Sequence, residues 1–482
     1  MRILMISAEG PPLHRASALV DVIEALPREL RARGHEVGIV MPFYREIREN
    51  AGFDWTETGV TVDVRVGQRN YIAEMLQGRT AGGVQTFFIR CDEFFDRPAI
   101  YGERGERYED NAARFSFFSK AALELARRLL PSPQILHAHD WAAALVPVLV
   151  RDQELPFHTV LTIHHLAEQG SFWGLDFGLT NLPERYFMAR GVEFFGRLNL
   201  LKGGIVFAHA LTTVSERYRR EILTPEGGCG LDMVLRENAD RLVGILNGAD
   251  YERWNPATDQ FLPKQFGPGN IEGKAACREF LLDALGLAPA PAGPVFGMVT
   301  RLVAEKGFDL LMPLLDRLLS DDVRLIILGH GDPAYETALA IAARKYADRF
   351  AYRKTYDEQL AHLIEGGADI TLIPSRIEPS GLSAMYSLRY GALPVARATG
   401  GIQEIIQDYD PTTESGYGFL CYVNSAEAFW DAIKRAKETF TKRGIWSQLE
   451  ERAMTEEFSW NTAARRYEEI YSELVEPAAR SA

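Results

Sequence analysis

The sequence lacks several features that would each indicate a particular class of protein. Its four cysteines are widely scattered and form no C-x-x-C pair, which argues against a disulfide framework and against a zinc site. No apolar run reaches the roughly 18 residues that a membrane-spanning helix needs. Neither a Walker A lysine loop nor a Gly-x-Ser-x-Gly elbow occurs. The sequence therefore gives no indication of a secreted scaffold, a P-loop enzyme or a serine hydrolase of that type.

The chain also lacks an excess of positive charge. It has 53 Lys and Arg against 66 Asp and Glu, a formal net charge of −13. A nucleic-acid-binding protein needs a basic face that displaces counterions, so we expect no nucleic-acid partner. The apolar run at the N-terminus is too short for a signal peptide and fits a first buried strand. We expect a cytoplasmic protein with no membrane association.

What the sequence does contain is a repeated strand–helix pattern. Its 482 residues, 46% of them hydrophobic, favour two large α/β domains over a single core. Residues 3–7 read as a strand, 17–33 as an amphipathic helix and 36–40 as the next strand. Such a strand–helix–strand unit predicts a parallel sheet.

Further strands are predicted along the chain, at residues 134–138, 159–163, 210–214, 295–300, 323–328, 370–373 and 393–396. A segment rich in Pro, Gly and Asn at 255–270 predicts a connector between domains. We therefore expect an N-terminal domain over residues 1–260 and a C-terminal domain over 261–455. We expect a final helix within 456–482 to return to the first domain. Because open parallel sheets bind ligands at the carboxyl ends of their strands, the residues that follow each strand are the candidates for function.

Two cations follow the strand at 295–300. Arg301 and Lys306 precede Gly307, which opens a helix. A planar guanidinium, an ammonium and a helix N-terminus together suit a diphosphate. The alternative is a solvated turn with an ordinary surface pair of charges.

A carboxylate and a run of small residues follow the strand at 370–373. Glu378 precedes Pro379, Ser380 and Gly381, and the next helix starts there. The first N–H groups of that helix suit an anion, and the carboxylate suits sugar or ribose hydroxyls. Thr399 with Gly400 and Gly401 is a third candidate cradle before a helix, although such a turn is common. The alternative in each case is a capped loop.

Histidines follow two strands of the predicted first domain, in the segments HAHDW at 137–141 and TIHH at 162–165. Histidines with an adjacent aspartate are compatible with a metal site, but a polar lining of a sugar cleft explains them better. The only D-x-D motif, Asp408 to Asp410, lies at the end of a helical segment and reads as a solvated turn. We therefore expect no metal site.

These motifs, in this order, resemble the bacterial glycogen synthases and plant starch synthases over essentially the whole chain. The segments that carry the resemblance are HAHDW at 137–141, TIHHLAEQG at 162–170, TPEGGCGL at 224–231, ILNGAD at 245–250, RLVAEKG at 301–307, PSRIEPSGL at 374–382, RYG at 389–391 and TGG at 399–401.

The resemblance implies the α/β GT-B architecture, in which two Rossmann-like domains with parallel sheets face each other across a cleft. It implies a retaining glucosyltransferase that moves glucose from ADP-glucose, or from UDP-glucose, to the nonreducing end of an α-1,4-glucan. The nucleotide sugar is then a substrate, and no cofactor is needed. The resemblance leaves the oligomeric state open.

By motif position, four residues would act on the reacting groups: His164, Arg301, Lys306 and Glu378. The donor would also contact Arg15, Tyr356, Ser380, Gly381, Leu382, Ser383, Thr399 and Gly400. The acceptor would contact Asp140 and Trp141. These assignments follow from the resemblance alone.

The sequence departs from the family mainly on the acceptor side. The family's KTGGLADV loop reads RASALVDV at 15–22, so Arg15 replaces the lysine and Ser17 and Ala18 replace two glycines. Phe195 stands where the family has a polar residue, and Ser380 where it has cysteine. These changes leave two alternatives to an active glucan synthase: a transferase with another acceptor or donor, and a catalytically weak glucan-binding or regulatory homologue.

Overall fold

Two parallel sheets, each in its own structural unit, organise the chain. The computed structural model describes residues 1–13, 18–103, 105–290 and 292–476. One unit comprises Met1–Asn247 together with the segment that begins at Trp460, and the other comprises Gly248–Ser459. This arrangement confirms the predicted α/β class.

The first unit contains a sheet of nine strands within the described residues. The strands of this unit are β1 (Arg2–Ile6), β2 (Glu36–Pro42), β3 (Trp55–Val66), β4 (Arg69–Arg79), β5 (Gln85–Arg90), β6 (Gly102–Glu103), β7 (Glu106–Arg107), β8 (Ile135–His139), β9 (His158–Ile163), β10 (Ser171–Trp173), β11 (Glu193–Phe194), β12 (Arg197–Asn199), β13 (Ala210–Thr213) and β14 (Leu242–Gly244). The order in the main sheet is β14-β13-β9-β8-β1-β2-β5-β4-β3, and β10-β12-β11 form a small separate sheet.

Helices connect these strands. They are α1 (Ala18–Ala32), α2 (Arg45–Glu49), α3 (Asp92–Phe95), α4 (Asn111–Arg128), α5 (Asp140–Ala143), α6 (Leu145–Asp152), α7 (Phe177–Thr180), α8 (Leu200–Phe207), α9 (Glu216–Ile222) and α10 (Asp232–Glu237), with short 3₁₀ turns at Gly174–Asp176, Glu184–Tyr186 and Ala239–Arg241. Helix α1 turns an apolar face inward, with Val22, Ile23 and Leu26 fully buried.

The strands predicted from apolar runs are all present, with their ends shifted by a residue or two. Strands β3, β4 and β5 were not predicted. They extend the parallel sheet by an antiparallel meander, in which β3 pairs with β4 and β4 with β5. Because β3 lies at the sheet edge and alternates exposed with buried residues, it has no continuous apolar run.

The second unit contains a sheet of six parallel strands in the order β17-β16-β15-β18-β19-β20. Its strands are β15 (Val295–Val299), β16 (Arg324–Leu328), β17 (Phe350–Arg353), β18 (Ile370–Ile373), β19 (Leu393–Arg397) and β20 (Phe419–Cys421). Its helices are α11 (Glu272–Leu285), α12 (Phe308–Leu311), α13 (Leu315–Leu319), α14 (Pro333–Lys345), α15 (Glu358–Gly367), α16 (Leu382–Arg389), α17 (Ile402–Ile405), α18 (Ala426–Phe440) and α19 (Arg443–Thr455), with 3₁₀ turns at Ala304–Lys306 and Met312–Leu314.

The division between the units falls at Asn247 and Gly248, before the predicted boundary at residue 260. The segment between these points packs on the second unit. The Trp254 indole stacks on the His362 ring with centroids 3.9 Å apart. The Asp259 carboxylate bonds both His362 Nδ1, at 2.7 Å, and the Tyr390 hydroxyl, at 2.5 Å. These contacts are made between residues about a hundred positions apart, so local sequence pattern does not reveal them.

The last helix, α20 (Trp460–Val475), belongs to the first unit. Glu468 pairs there with Arg33, and the buried Tyr471 hydroxyl lies 2.8 Å from His137 Nδ1. His137 Nε2 in turn bonds the Thr162 hydroxyl at 2.6 Å. A buried hydrogen-bond chain thus ties the C-terminal helix to strands β8 and β9. None of the helices in the described part of the chain has the length and hydropathy of a membrane span.

We expect Tyr471→Phe to destabilise the first unit by about 1–3 kcal/mol, because it leaves a buried imidazole nitrogen without its partner. Urea unfolding measures the change. The matched control is Tyr108→Phe, which removes an exposed hydrogen bond to Glu103 in the same unit. We expect that control to cost less than about 0.5 kcal/mol. Equal effects of the two substitutions would contradict the role given to the buried chain.

Candidate active site

In the first unit, polar side chains gather where β8 and β9 end. His139 ends β8 and His164 follows β9, and their rings meet through Nδ1 of the former and Nε2 of the latter at 3.0 Å. The two rings are stacked, with centroids 5.3 Å apart. The predicted residue His164 therefore has a fixed orientation, and His139, which the motifs did not single out, supplies it. Its position at the end of a strand next to Asp140 was the available signal.

Burial keeps these histidines neutral. It lowers the pKa of His137 to about 3, with a further contribution from His164. It lowers the pKa of His164 to about 3 and holds that of His139 well below the ordinary value. Neutral imidazoles each offer one donor and one acceptor. The cluster is therefore suited to sugar hydroxyls and not to an anion.

Asp140 follows β8 in a left-handed backbone conformation with φ of 55°. Such a conformation is uncommon for a residue with a Cβ and is often found at functional sites. Its Oδ1 accepts hydrogen bonds from the backbone N–H of His164 at 2.7 Å and of His165 at 3.4 Å. Burial raises its pKa to about 7, although the N–H group of His164 opposes the shift. Asp140 thus changes charge near neutral pH.

Trp141, the other predicted acceptor residue, is buried, with 3% of its surface exposed. Its ring packs edge-on against Phe115 at 4.8 Å and near Phe172 at 5.8 Å. A Cβ placed at Gly170 would lie 2.4 Å from the indole. The side chain therefore fixes the position of the loop that follows β9, and a direct contact with an acceptor stays a prediction.

The loop after β1 brings a further carboxylate that the motifs did not single out. Glu9 is 7% exposed, and its Oε1 accepts a 2.8 Å hydrogen bond from the Tyr101 hydroxyl. Two residues of the divergent loop, Arg15 and Ser17, lie outside the described residues. Ala18, the third departure in that loop, is the first residue of α1.

In the second unit, the structure brings two predicted residues from separate loops into direct contact. Lys306 Nζ lies 2.6 Å from Glu378 Oε2, and both side chains are largely buried. Lys306 ends the 3₁₀ turn after β15, and Glu378 lies in the loop after β18, the neighbouring strand. The pair joins the phosphate candidate to the sugar candidate at the carboxyl edge of the sheet.

Arg301, the residue expected to act with Lys306, is exposed. Within the described part of the chain its side chain forms no hydrogen bond or ion pair. It follows β15 directly, where Leu302 makes a parallel bridge to Gly331. The backbone is thus held while the guanidinium remains available to a ligand.

Backbone packing holds the loops of the second unit together. A Cβ at Gly307 would lie 2.0 Å from the Pro374 carbonyl oxygen, and one at Gly400 would lie 2.2 Å from the Glu378 carbonyl oxygen. Gly381 precedes α16 with φ of 72°. Ser380, Leu382 and Thr399 are buried and Ser383 is partly exposed. The loop at 399–401 therefore lies directly on the loop at 378–381, as the shared role predicted for them requires.

Two other motifs lie apart from these loops. Tyr356 follows β17, two strands from β15 in the sheet, and is 41% exposed. In the D-x-D motif, Asp408 Oδ1 accepts from Leu420 N at 2.8 Å, and Asp410 Oδ1 accepts from Thr412 N at 2.8 Å. Both aspartates thus stabilise local turns.

Comparison with known proteins identifies the family. Residues 2–237 match the family described as starch synthase catalytic domain, and residues 287–448 match the family described as glycosyl transferases group 1. A glycogen synthase of Koribacter versatilis is 40% identical, with 98% of each chain covered. A glycogen synthase of Anaeromyxobacter dehalogenans strain 2CP-1 is 43% identical, covering 98% of this chain and 99% of that one.

Solved structures agree. The catalytic domain of starch synthase IV from Arabidopsis thaliana, bound to ADP and acarbose, superposes with a TM-score of 0.91 at 33% identity, over 98% of this chain and 99% of that one. A sucrose-phosphate synthase from Thermosynechococcus elongatus shares the fold at 17% identity and a TM-score of 0.62. The chain has the GT-B fold and belongs to the glycogen and starch synthase family, as a glucosyltransferase of the glycogen synthase type.

Proposed function

We propose that the chain transfers glucose from ADP-glucose to the 4-hydroxyl at the nonreducing end of an α-1,4-glucan, with retention of the anomeric configuration. The observation that carries the proposal is the contact between Lys306 and Glu378 beside the exposed Arg301. It joins two cations suited to a diphosphate and a carboxylate suited to sugar hydroxyls at one edge of a parallel sheet. The solved relative bound to ADP supports adenosine as the base.

The second unit would bind the donor. Breaking the glycosyl–phosphate bond places negative charge on the leaving diphosphate, and a preorganised cation stabilises that charge most in the transition state. Arg301 and Lys306 supply this charge, and the N-terminal N–H groups of α16 at Leu382 and Ser383 add to it. Glu378 holds Lys306 in place and accepts hydrogen bonds from sugar hydroxyls. Tyr356 would stack on the base.

The first unit would bind the acceptor and steady the transferred sugar. The neutral His164, fixed by His139, hydrogen-bonds a hydroxyl of the glucose without repelling the positive charge that develops on its ring. Asp140, as a carboxylate, accepts a hydrogen bond from an acceptor hydroxyl. In a front-face mechanism the leaving phosphate itself takes the acceptor proton, so the chain needs no nucleophile and no metal ion.

The nucleotide preference tests the donor assignment. Initial rates of glucose incorporation into glycogen are measured with ADP-glucose and with UDP-glucose at equal concentrations. We expect kcat/KM for ADP-glucose to be the larger of the two. Faster transfer from UDP-glucose would overturn the proposed base and leave the glucosyltransferase assignment intact.

We expect Arg301→Ala to lower kcat/KM by about 100–1,000-fold with little loss of stability, because the exposed guanidinium contributes to transfer and not to packing. Lys306→Ala should lower the rate similarly and also destabilise the unit, since it leaves the buried Glu378 carboxylate without its partner. The control is Arg317→Ala, which removes an exposed arginine paired with Glu427 outside the site. Wild-type-like turnover in the Arg301 variant would contradict its assignment.

The raised pKa of Asp140, about 7, predicts a pH dependence. The carboxylate form increases as pH rises through neutrality, so kcat/KM for the glucan should rise between about pH 6 and about pH 8. Asp140→Asn should lower this constant and remove that part of the profile. Asp152→Asn, at a surface ion pair with Arg185, is the control and should keep the wild-type profile. A rise that persists in Asp140→Asn would exclude Asp140 as its source.

A further inference from the structure

The small sheet of the first unit exposes aromatic side chains that no other feature of the fold explains. Trp173, at the end of β10, is 68% exposed, and Phe195, in the turn between β11 and β12, is 86% exposed. Large aromatic side chains normally gain stability by burial, and exposed apolar clusters on soluble proteins mark interaction sites. The two rings therefore need a reason to face solvent.

The backbone at Phe195 makes the exposure more informative. Phe195 and Gly196 form a two-residue hairpin turn in which both φ angles are positive, 48° and 74°. Turns of this kind strongly prefer Asn, Asp or Gly at the first position, because a bulky residue is strained there. Phenylalanine thus costs stability at this position without gaining burial. Its ring is retained for contact with something outside the chain.

Polar groups alternate with the rings. Trp173 pairs with Arg197 across the sheet, and Arg197 pairs with Phe194, so the three side chains share the outward face. The Phe194 and Phe195 rings lie 4.7 Å apart. Arg197 Nε donates to the Ser171 hydroxyl at 3.0 Å, which fixes the guanidinium between the rings. Flat apolar faces separated by hydrogen-bond donors match a chain of pyranose rings, which has apolar faces and hydroxyl edges.

The platform is continuous with the candidate acceptor residues. Strand β10 follows Gly170, where a Cβ would meet the Trp141 indole, and Phe172 lies 5.8 Å from that ring. The main chain therefore leads from Trp141, next to Asp140, to Trp173 within a few residues. A Cβ at Gly174 would lie 2.4 Å from the Gly196 carbonyl oxygen, so β10 also reaches the turn that carries Phe195.

We propose that Trp173, Arg197 and Phe195 form an outer binding platform for α-1,4-glucan, which holds the polymer several glucose units away from the reacting end. This inference rests on the proposed function for the identity of the sugar. The rings stack on the pyranose faces, and Arg197 donates hydrogen bonds to hydroxyls. Long or branched glucan is therefore favoured over short oligosaccharide as acceptor.

The test is binding of purified protein to glycogen by affinity electrophoresis, without any nucleotide sugar. The variants are Trp173→Ala, Phe195→Gly and their combination. Glycine suits the positive φ, so Phe195→Gly removes the ring without unfolding the turn, and its melting temperature should not fall. The double variant should raise the Kd for glycogen about tenfold, as expected from the loss of two ring contacts. Its KM for the nucleotide sugar should not change.

Two controls separate the platform from general effects. Glu414→Gly makes the same backbone change at another positive φ, 53°, in the second unit. Ile72→Ala removes another exposed apolar side chain, 60% exposed, on β4. Both should bind glycogen like the wild type.

An unchanged Kd in the double variant would overturn the platform. So would loss of self-association by sedimentation velocity with unchanged glycogen binding, since the patch would then join copies of the chain. The assay needs no catalysis, so the two proposals fail separately. Platform-dependent binding without transfer would overturn the proposed function alone, and transfer with a normal Kd in the double variant would overturn the platform alone.

Discussion

The close approach of three loops at the carboxyl edge of the second sheet is the constraint on which the donor half of the site depends. At Gly307, Gly400 and Gly401 a Cβ would fall 2.0 to 2.3 Å from a carbonyl oxygen of a neighbouring loop. No side chain fits there without moving backbone, so glycine is required by space and not only by φ. This packing brings Lys306 from one loop onto Glu378 from another. The glycines of the sequence motifs therefore act as structural contacts, and the charged residues between them carry the chemistry.

The two units solve opposite electrostatic problems with different residues. In the first, burial keeps three histidines neutral and draws the pKa of Asp140 toward 7, which suits uncharged hydroxyls. In the second, a cation is held by a carboxylate and another is left exposed, which suits a diphosphate. The divergence from the family falls on the acceptor side, where Phe195 replaces a polar residue in a strained turn. The structure interprets that change as a gain of aromatic surface.

Much of this could be predicted from the sequence, for definable reasons. Buried parallel strands are continuous apolar runs, so β1, β2, β8, β9 and the core strands of the second sheet were found. The candidate residues followed because loops at one edge of a parallel sheet carry function. The edge strands β3 and β4 were missed because their residues alternate. Contacts such as Lys306 with Glu378, His139 with His164 and Asp259 with His362 join distant positions, and only the folded chain shows them.

The central claim is that the chain extends an α-1,4-glucan by retaining transfer from a nucleotide sugar. The most direct measurement follows ADP-glucose labelled with ¹³C at C1 by NMR in the presence of glycogen, while released ADP is quantified in the same sample. The account predicts one ADP for each new α-1,4-linked glucose, and no release in the absence of glycogen. A β-linked product, free glucose as the main product, or no product at saturating donor would contradict it.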